Sequence, residues 1–140
     1  MEAKGKTIRD LELGEKASLG REITGEDIEN FAQATGDFNP LHLDEAYAKN
    51  TVFQGRIAHG MLVASLFSNL IGTQLPGPGT VYLSQTLNFK KPVRINDIIT
   101  AEVEVTGIHH ERGTVTLSTC CRNQDGTLVL EGEAIVSPRR

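Results

Sequence analysis

Asp37 and His42 lie five residues apart in the run G-D-F-N-P-L-H, which combines an acid, an amide and an imidazole. Gly36 precedes the acid, and glycine tolerates backbone angles that other residues resist. Pro40 cannot continue a helix and pushes the asparagine before it into an extended conformation. We therefore expect a rigid turn at the end of a helix. A carboxylate and an imidazole fixed by such a turn can act on one water molecule as base and acid.

The bulk composition is typical of one folded domain. The chain has 140 residues, of which 39% are hydrophobic and 23% charged, which suits a single core in a soluble protein. A net charge of −4 gives nucleic-acid binding no electrostatic support. The apolar run 61–71 is too short to span a membrane, and the polar N-terminus is unlike a signal peptide. We expect a cytoplasmic protein without nucleic-acid or membrane partners.

The two cysteines, Cys120 and Cys121, are neighbours in the sequence. Adjacent residues on a strand point to opposite faces, and a disulfide between them would be strained. Two cysteines without a second, spaced pair do not form a zinc site. We interpret them as strand residues in a reducing compartment.

Helices are predicted mainly in the first half of the chain. Thr24 and Asp27 have the spacing of a capping box, and the helix that they begin should end at Gly36. Asp44 can cap a short helix that runs through Asn50. The other predicted segments of this half are a loose lead-in over residues 1–16, a short strand over 17–23 and an irregular loop over 52–58.

The second long helix is predicted over residues 60–73. Apolar side chains cover nearly every side of this segment, and such a helix must be surrounded by protein. A sharp break follows at residues 75–79, where the sequence is L-P-G-P-G.

Alternating patterns after this break predict four strands. Apolar residues recur at every second position from Ile99 to Val105, and Asp125-Gly126 is a hairpin signal. A turn is predicted at Asn96-Asp97. The fold class is therefore α+β, a single hot-dog fold in which a curved antiparallel sheet wraps around a buried central helix. Because so few strands cannot enclose the helix, we expect a homodimer. The predicted strands are 80–89, 98–110, 113–123 and 127–137.

Two stretches of the chain resemble a known family. Residues 31–48, F-A-Q-A-T-G-D-F-N-P-L-H-L-D-E-A-Y-A, are similar to the hydratase signature of MaoC-like proteins, which include (R)-specific enoyl-CoA hydratases. Residues 53–68, F-Q-G-R-I-A-H-G-M-L-V-A-S-L-F-S, also resemble this family. The resemblance implies one hot-dog domain over residues 1–140, with its catalytic motif at 31–48 and its central helix at about 60–73.

The resemblance also implies a reaction. A hydro-lyase of this family adds water reversibly across a trans-2-enoyl thioester and gives an (R)-3-hydroxyacyl thioester. It requires no metal or redox cofactor, and coenzyme A or acyl carrier protein carries the substrate. Storage-polymer supply, fatty-acid synthesis and degradation of specialised acids are all compatible pathways, and acyl-chain length depends on a few side chains at the end of a tunnel.

Five residues match positions of the catalytic machinery. Asp37 and His42 match the catalytic pair, and either can perform either proton transfer. Gly60, at the start of the buried helix, matches a backbone N–H donor to the thioester oxygen. Asn39 is expected to fix the turn, and Ser68 either orients the histidine or bonds its own helix.

Substrate contacts are expected from a second set of residues. Lys90, Lys91 and Arg94 form a small basic group that can meet the phosphates of coenzyme A or be solvated surface. His59 lines the site or is an exposed loop histidine, whereas His109 and His110 are interpreted as a solvated hairpin tip. The residues that shape an acyl tunnel or form plain core are Phe38, Phe67, Leu70, Ile71 and Val136.

Three other functions remain as alternatives. A 3-hydroxyacyl-acyl-carrier-protein dehydratase uses the same residues in reverse, but an acidic chain offers little basic surface for a carrier protein. A hot-dog thioesterase attacks the carbonyl carbon, and the intact G-D-x-N-P-x-H core argues against it. A non-catalytic acyl-thioester-binding subunit would lack the catalytic pair, which this chain has.

Overall fold

The computed structural model describes residues 4–140. Five helical segments and six strands follow one another over these residues, and the helices all precede β2. Among the residues described, no helix is both long and apolar enough to cross a membrane. The helical segments are a 3-10 turn at Ile8–Asp10, α1 at Gly25–Thr35, α2 at Pro40–Leu43, α3 at Glu45–Lys49 and α4 at Gly60–Thr73; the strands are β1 at Lys16–Glu22, β2 at Val81–Gln85, β3 at Asn88–Phe89, β4 at Ile98–His109, β5 at Thr114–Arg122 and β6 at Leu128–Ser137.

The six strands form one antiparallel sheet in the order β1-β4-β5-β6-β2, with β3 also paired to β6. This curved sheet and the helix against it confirm the predicted hot-dog fold. On β5, Cys121 is fully buried and Cys120 is partly exposed, as expected for neighbours on opposite faces. Burial raises the pKa of the Cys121 thiol to about 12, so this thiol is protonated and inert near neutral pH.

The single strand predicted over residues 80–89 is wrong, because the chain divides there into β2 and β3. Thr86, between them, donates its backbone N–H to Glu133 O at 2.9 Å and accepts the Glu133 N–H on its hydroxyl at 2.9 Å. Its carbonyl lies so close to Gly132 that a Cβ there would be 1.8 Å away. The absence of a side chain at Gly132 therefore lets Thr86 approach β6 closely between β2 and β3, which the alternating pattern does not reveal. The irregularity in the register of β2 with β6 lies between Tyr82 and Ser84.

The central helix α4 buries one face against the sheet. Its exposed side is largely polar, with Ser65, Ser68 and Asn69, although Met61 is also 57% exposed. A single chain therefore covers most of the apolar surface of α4 but does not surround the helix. The apolar composition of α4 had predicted a helix surrounded by protein. The buried residues of α4 are Val63, Leu66, Phe67, Leu70 and Ile71.

The lead-in is more ordered than predicted over residues 4–16. The Asp10 carboxylate accepts hydrogen bonds from the backbone N–H and the hydroxyl of Thr7, at 3.0 and 2.9 Å. Leu11 is buried in the core, and Gly5 lies against Pro78, where any Cβ would collide with a carbonyl oxygen. Packing against the loop after α4, which is distant in sequence, orders this segment.

The predicted helix ends and turns are largely confirmed. The Thr24 hydroxyl accepts the Asp27 N–H at 3.1 Å, while the Asp27 carboxylate accepts the Thr24 N–H at 3.0 Å. Asp44 accepts the Tyr47 N–H at 3.1 Å and so caps α3. His109 and His110 lie exposed at the turn between β4 and β5, as predicted for a hairpin tip. The short helix α2, directly after the G-D-F-N run, is a feature that the sequence analysis did not include.

Candidate active site

The turn that carries Asp37 is built by local hydrogen bonds. Gly36 ends α1 with φ 81°, and its N–H donates to Ala32 O at 2.8 Å. Asp37 then accepts the Asn39 N–H on its carboxylate at 3.3 Å. Asn39 in turn accepts the Leu41 N–H at 3.0 Å and so caps α2. The positive φ at Gly36 reverses the chain, and the side-chain bonds fix it in this direction.

His42 lies on α2 with its ring nearly buried, at 9% exposure. Its Nδ1 is 2.8 Å from Ile57 O. Because a carbonyl oxygen only accepts, Nδ1 must carry the proton, and Nε2 is then the unprotonated nitrogen of the neutral ring. The backbone carbonyl of His42 accepts the Arg56 Nε–H at 2.6 Å. Both the ring and the backbone of His42 are therefore bonded to the segment that precedes α4.

The surroundings of His42 lower the pKa of its imidazole. Burial is the main cause, because it disfavours the charged ring, and the neighbouring His59 acts in the same direction. The Ile57 carbonyl and the Asp37 carboxylate raise the pKa, but less than burial and His59 together lower it. His42 is therefore neutral near neutral pH, with Nε2 able to accept a proton.

His59 is buried, at 1% exposure, so the alternative of an exposed loop histidine is wrong. Its Nε2 donates to the backbone carbonyl of Asp37 at 3.1 Å. Its ring centroid is 4.0 Å from that of His42 and 4.8 Å from that of Phe31. Asp37, His42 and His59 each offer an atom able to bind metal, and these atoms lie within 4.8 Å of one another. Each histidine uses one ring nitrogen for a backbone carbonyl, which leaves the other nitrogen of each ring available.

An apolar cavity of about 430 Å³ opens beside His42. Gly60, the first residue of α4, also lines it. A Cβ at Gly60 would be 2.5 Å from the Phe89 ring, so a side chain at this position would require the ring to move. The remaining lining residues are Phe53, Ile57, Ala58, Met61, Val63, Phe89, Lys90, Lys91, Pro92, Val93, Val129 and Leu130.

The structure brings only part of the predicted basic group to this cavity. Lys90 and Lys91 line it, and Lys90 also lies 3.5 Å from Glu131. Arg94 is exposed and does not line it; its backbone N–H donates to the Asp97 carboxylate at 2.8 Å. Lys90 and Lys91 are therefore the lysine or arginine residues that the described range 4–140 places at the cavity.

Several predicted substrate contacts lie elsewhere in the chain. Phe38 is 54% exposed beside the catalytic turn, and Phe67, Leu70, Ile71 and Val136 belong to the core. Ser68 is exposed on α4, eight residues after Gly60, which places it about 12 Å farther along the helix axis. None of these residues, and not His59, lines the cavity formed by residues 4–140.

Sequence reasoning missed the apolar residues that line most of the cavity. They come from the loop before α4, from α4 itself and from β3 and β6, and no local pattern connects these segments. Two features of the sequence could have indicated lining residues: Met61 adjoins Gly60, and Phe89 adjoins the pair Lys90 and Lys91.

Comparisons with known proteins show which family this chain resembles over most of its length. A family model described as MaoC like domain matches residues 11–122. The (R)-specific enoyl-CoA hydratase of Aeromonas caviae is 49% identical over 130 residues, which are 93% of this chain and 97% of that protein. The (R)-specific enoyl-CoA hydratase of Rhodospirillum rubrum is 50% identical over 92% of this chain and 89% of that protein. The solved structure of an (R)-hydratase from A. caviae, described as involved in PHA biosynthesis, superposes with a TM-score of 0.90 at 48% identity and covers 93% of this chain and 98% of that one.

The His42 geometry predicts a measurable titration. We expect nuclear magnetic resonance of the ring to give a midpoint below the ordinary 6.5, because burial favours the neutral form. Asp37→Asn should lower the midpoint further, since the carboxylate raises this pKa. A His42 midpoint above 6.5, or an upward shift in Asp37→Asn, would contradict the arrangement.

Proposed function

The chain belongs to the MaoC-like domain family, and on this premise we propose that it is an (R)-specific enoyl-CoA hydratase. The single observation that carries the proposal is the neutral His42 ring, placed beside Asp37 at the wall of an apolar cavity. In this reaction the double bond of a trans-2-enoyl-CoA is lost, a hydroxyl group is added to C3 and a proton to C2. A cavity that is mostly apolar suits the acyl chain, and its polar groups converge where water must react.

We propose that Asp37 and His42 activate one water molecule together. The Nδ1–H bond to Ile57 O leaves Nε2 of His42 as an acceptor for a water proton. The Asp37 carboxylate is the second acceptor, and its nearness to the histidine atoms lets one water contact both. As the oxygen attacks C3, the pair takes one proton from the water and returns one to C2 on the same face. Water is consumed, and no electrons are gained or lost.

Charge develops on the thioester oxygen during this attack. We assign its stabilisation to the backbone N–H of Gly60, because the first N–H groups of a helix have no partner within it and the helix dipole is positive there. The close Phe89 ring makes glycine the residue that fits this position. Asn39 acts indirectly, by capping α2 and so fixing His42.

Water addition changes no oxidation state, so acid–base and hydrogen-bonding groups suffice for the chemistry. We therefore propose that the protein works without a metal or redox cofactor and that coenzyme A carries its substrate. We further propose that residues 1–140 form one cytoplasmic domain.

Replacing either member of the acid–base pair should remove most of the activity. We expect Asp37→Asn and His42→Gln each to lower kcat by about 10²–10⁴-fold, measured as loss of enoyl absorbance with crotonyl-CoA. An (R)-specific 3-hydroxyacyl dehydrogenase should consume the product of the wild-type protein. His110→Gln, at the exposed hairpin tip, is the matched control and should retain full activity. Near-normal turnover of both active-site variants would refute the assignment.

The same assay separates the alternatives. Wild-type protein that is inactive on every enoyl-CoA but active on an enoyl-acyl-carrier protein would be a dehydratase of carrier-bound substrates. Release of free coenzyme A without loss of the double bond would instead identify a thioesterase.

The two lysines at the cavity are proposed to bind the phosphates of coenzyme A. The double variant Lys90→Gln, Lys91→Gln should raise KM for crotonyl-CoA about three- to tenfold, because exposed ion pairs contribute up to about 1 kcal/mol each. KM for crotonyl-N-acetylcysteamine, which lacks phosphates, should not change. Lys49→Gln, on α3 and also exposed, is the control. Equal KM increases for both substrates would show that the lysines affect the acyl site and not the phosphates.

A homodimer is proposed from the edge of the sheet. Strand β2 lies at this edge, and Val81 and Leu83 on it are 58% and 54% exposed. An uncovered edge with apolar side chains is a surface that proteins normally protect, and a second copy is the simplest cover. Light scattering should give a mass near twice the 15.2 kDa of one chain.

Leu83→Glu should shift this dimer toward monomer, because the new carboxylate would be buried in the interface. Leu13→Glu, at another exposed leucine, should leave the mass unchanged. An active wild-type monomer would exclude the dimer as a requirement.

A further inference from the structure

We propose that His59 is a positioning residue, which places Asp37 and His42 for catalysis without touching the substrate. The inference rests on the hydratase function proposed above. Two observations support it. His59 donates a hydrogen bond to the carbonyl of Asp37, 22 residues earlier in the chain, and its ring contacts the ring of His42. His59 itself is buried and does not line the cavity.

The segment 56–59, here called the latch, makes three hydrogen bonds to Asp37 and His42, and a fourth runs from the Ile57 N–H to Leu41 O at 3.4 Å. Arg56 donates to the His42 carbonyl at 2.6 Å, and the His42 ring donates to the Ile57 carbonyl at 2.8 Å. His59 donates to the Asp37 carbonyl at 3.1 Å. The first two bonds fix His42, whereas the third fixes the backbone of Asp37. His59 is therefore the latch residue that sets the position of the carboxylate relative to the imidazole.

The ring of His59 also fixes the space beside His42. It lies between Phe31 on α1 and His42 on α2, with centroid distances of 4.8 and 4.0 Å. Because His59 is also the residue directly before α4, its ring contacts connect these two helices to the start of the central helix. A movement of the turn away from α4 would have to break these contacts together.

Only one nitrogen of His59 has a polar contact to preserve. Nε2 donates to Asp37, whereas Nδ1 is buried and has no hydrogen-bond partner among residues 4–140. A glutamine carries an amide N–H at about the distance of Nε2 and can replace this donor. A leucine fills similar space without a donor. The two substitutions therefore separate the hydrogen bond from simple packing.

Kinetics of the full-length protein with crotonyl-CoA test the proposal. His59→Leu should lower kcat about 10–100-fold, because a shift of about 1 Å in a reacting group can cost about 10²-fold. KM should stay within about threefold of wild type, since His59 does not line the cavity. His59→Gln should recover kcat to within about fivefold of wild type. His110→Leu, which replaces an exposed histidine, should be unchanged.

Three results would overturn the proposal: equal loss of kcat in the glutamine and leucine variants, a rise in KM at unchanged kcat, or wild-type kinetics in His59→Leu. If the leucine variant does not fold, His59→Asn takes its place, because its amide is too short to reach the Asp37 carbonyl.

Amide hydrogen exchange tests the positioning role even if the hydratase function fails. Exchange over residues 37–42 should be about tenfold faster in His59→Leu than in wild type, with little change in His59→Gln. Unchanged exchange in the leucine variant would contradict the latch. Absence of hydration by the wild-type protein would contradict only the proposed function.

Discussion

The hydrogen bond from the His42 ring to the Ile57 carbonyl is the constraint on which the active site depends. It assigns the proton to Nδ1 and leaves Nε2 free to accept one from water. Burial adds a second effect, because it lowers the pKa of the ring and keeps it neutral. A rotated His42 ring would lose both the bond and the orientation toward Asp37. The short helix α2, begun by Pro40 and capped by Asn39, supplies the backbone that makes this orientation possible.

The hot-dog fold contributes a rigid support for this constraint. The sheet packs on one face of α4, and the start of α4 faces the cavity, so a helix N-terminus and His42 of the acid–base pair meet at one apolar surface. Segments from both halves of the chain form the cavity wall, including Phe89 on β3 and Leu130 on β6. The break at Thr86 separates β3 from β2, and the register of β2 is also irregular between Tyr82 and Ser84. Because Phe89 on β3 lines the cavity, the position of β3 in the sheet contributes to the shape of the cavity wall.

Local signals explain which parts of the site the sequence predicts. Gly36, Asn39 and Pro40 act within a few residues of Asp37 and His42, so their effect on the turn is readable from spacing alone. Gly60 was identified in the same way, as the first residue of a predicted helix. The latch was not, because its bonds join residues 14 to 22 positions apart. Ser68, Phe38 and Ile71 were expected near the substrate, but helix geometry and side-chain direction place them away from the cavity of this chain.

By itself, the sequence determined the helix caps, the hairpins, the alternating strands and the position of the acid–base pair, since each depends on neighbours along the chain. The family resemblance added the reaction. Only the tertiary structure decided that His59 is buried, that residues 4–16 are packed, and that the strand predicted over 80–89 divides at Thr86. It also decided which apolar residues line the cavity and which lie in the core. The physical reason is that burial and close approach depend on residues distant in sequence, which hydrophobic patterns do not pair.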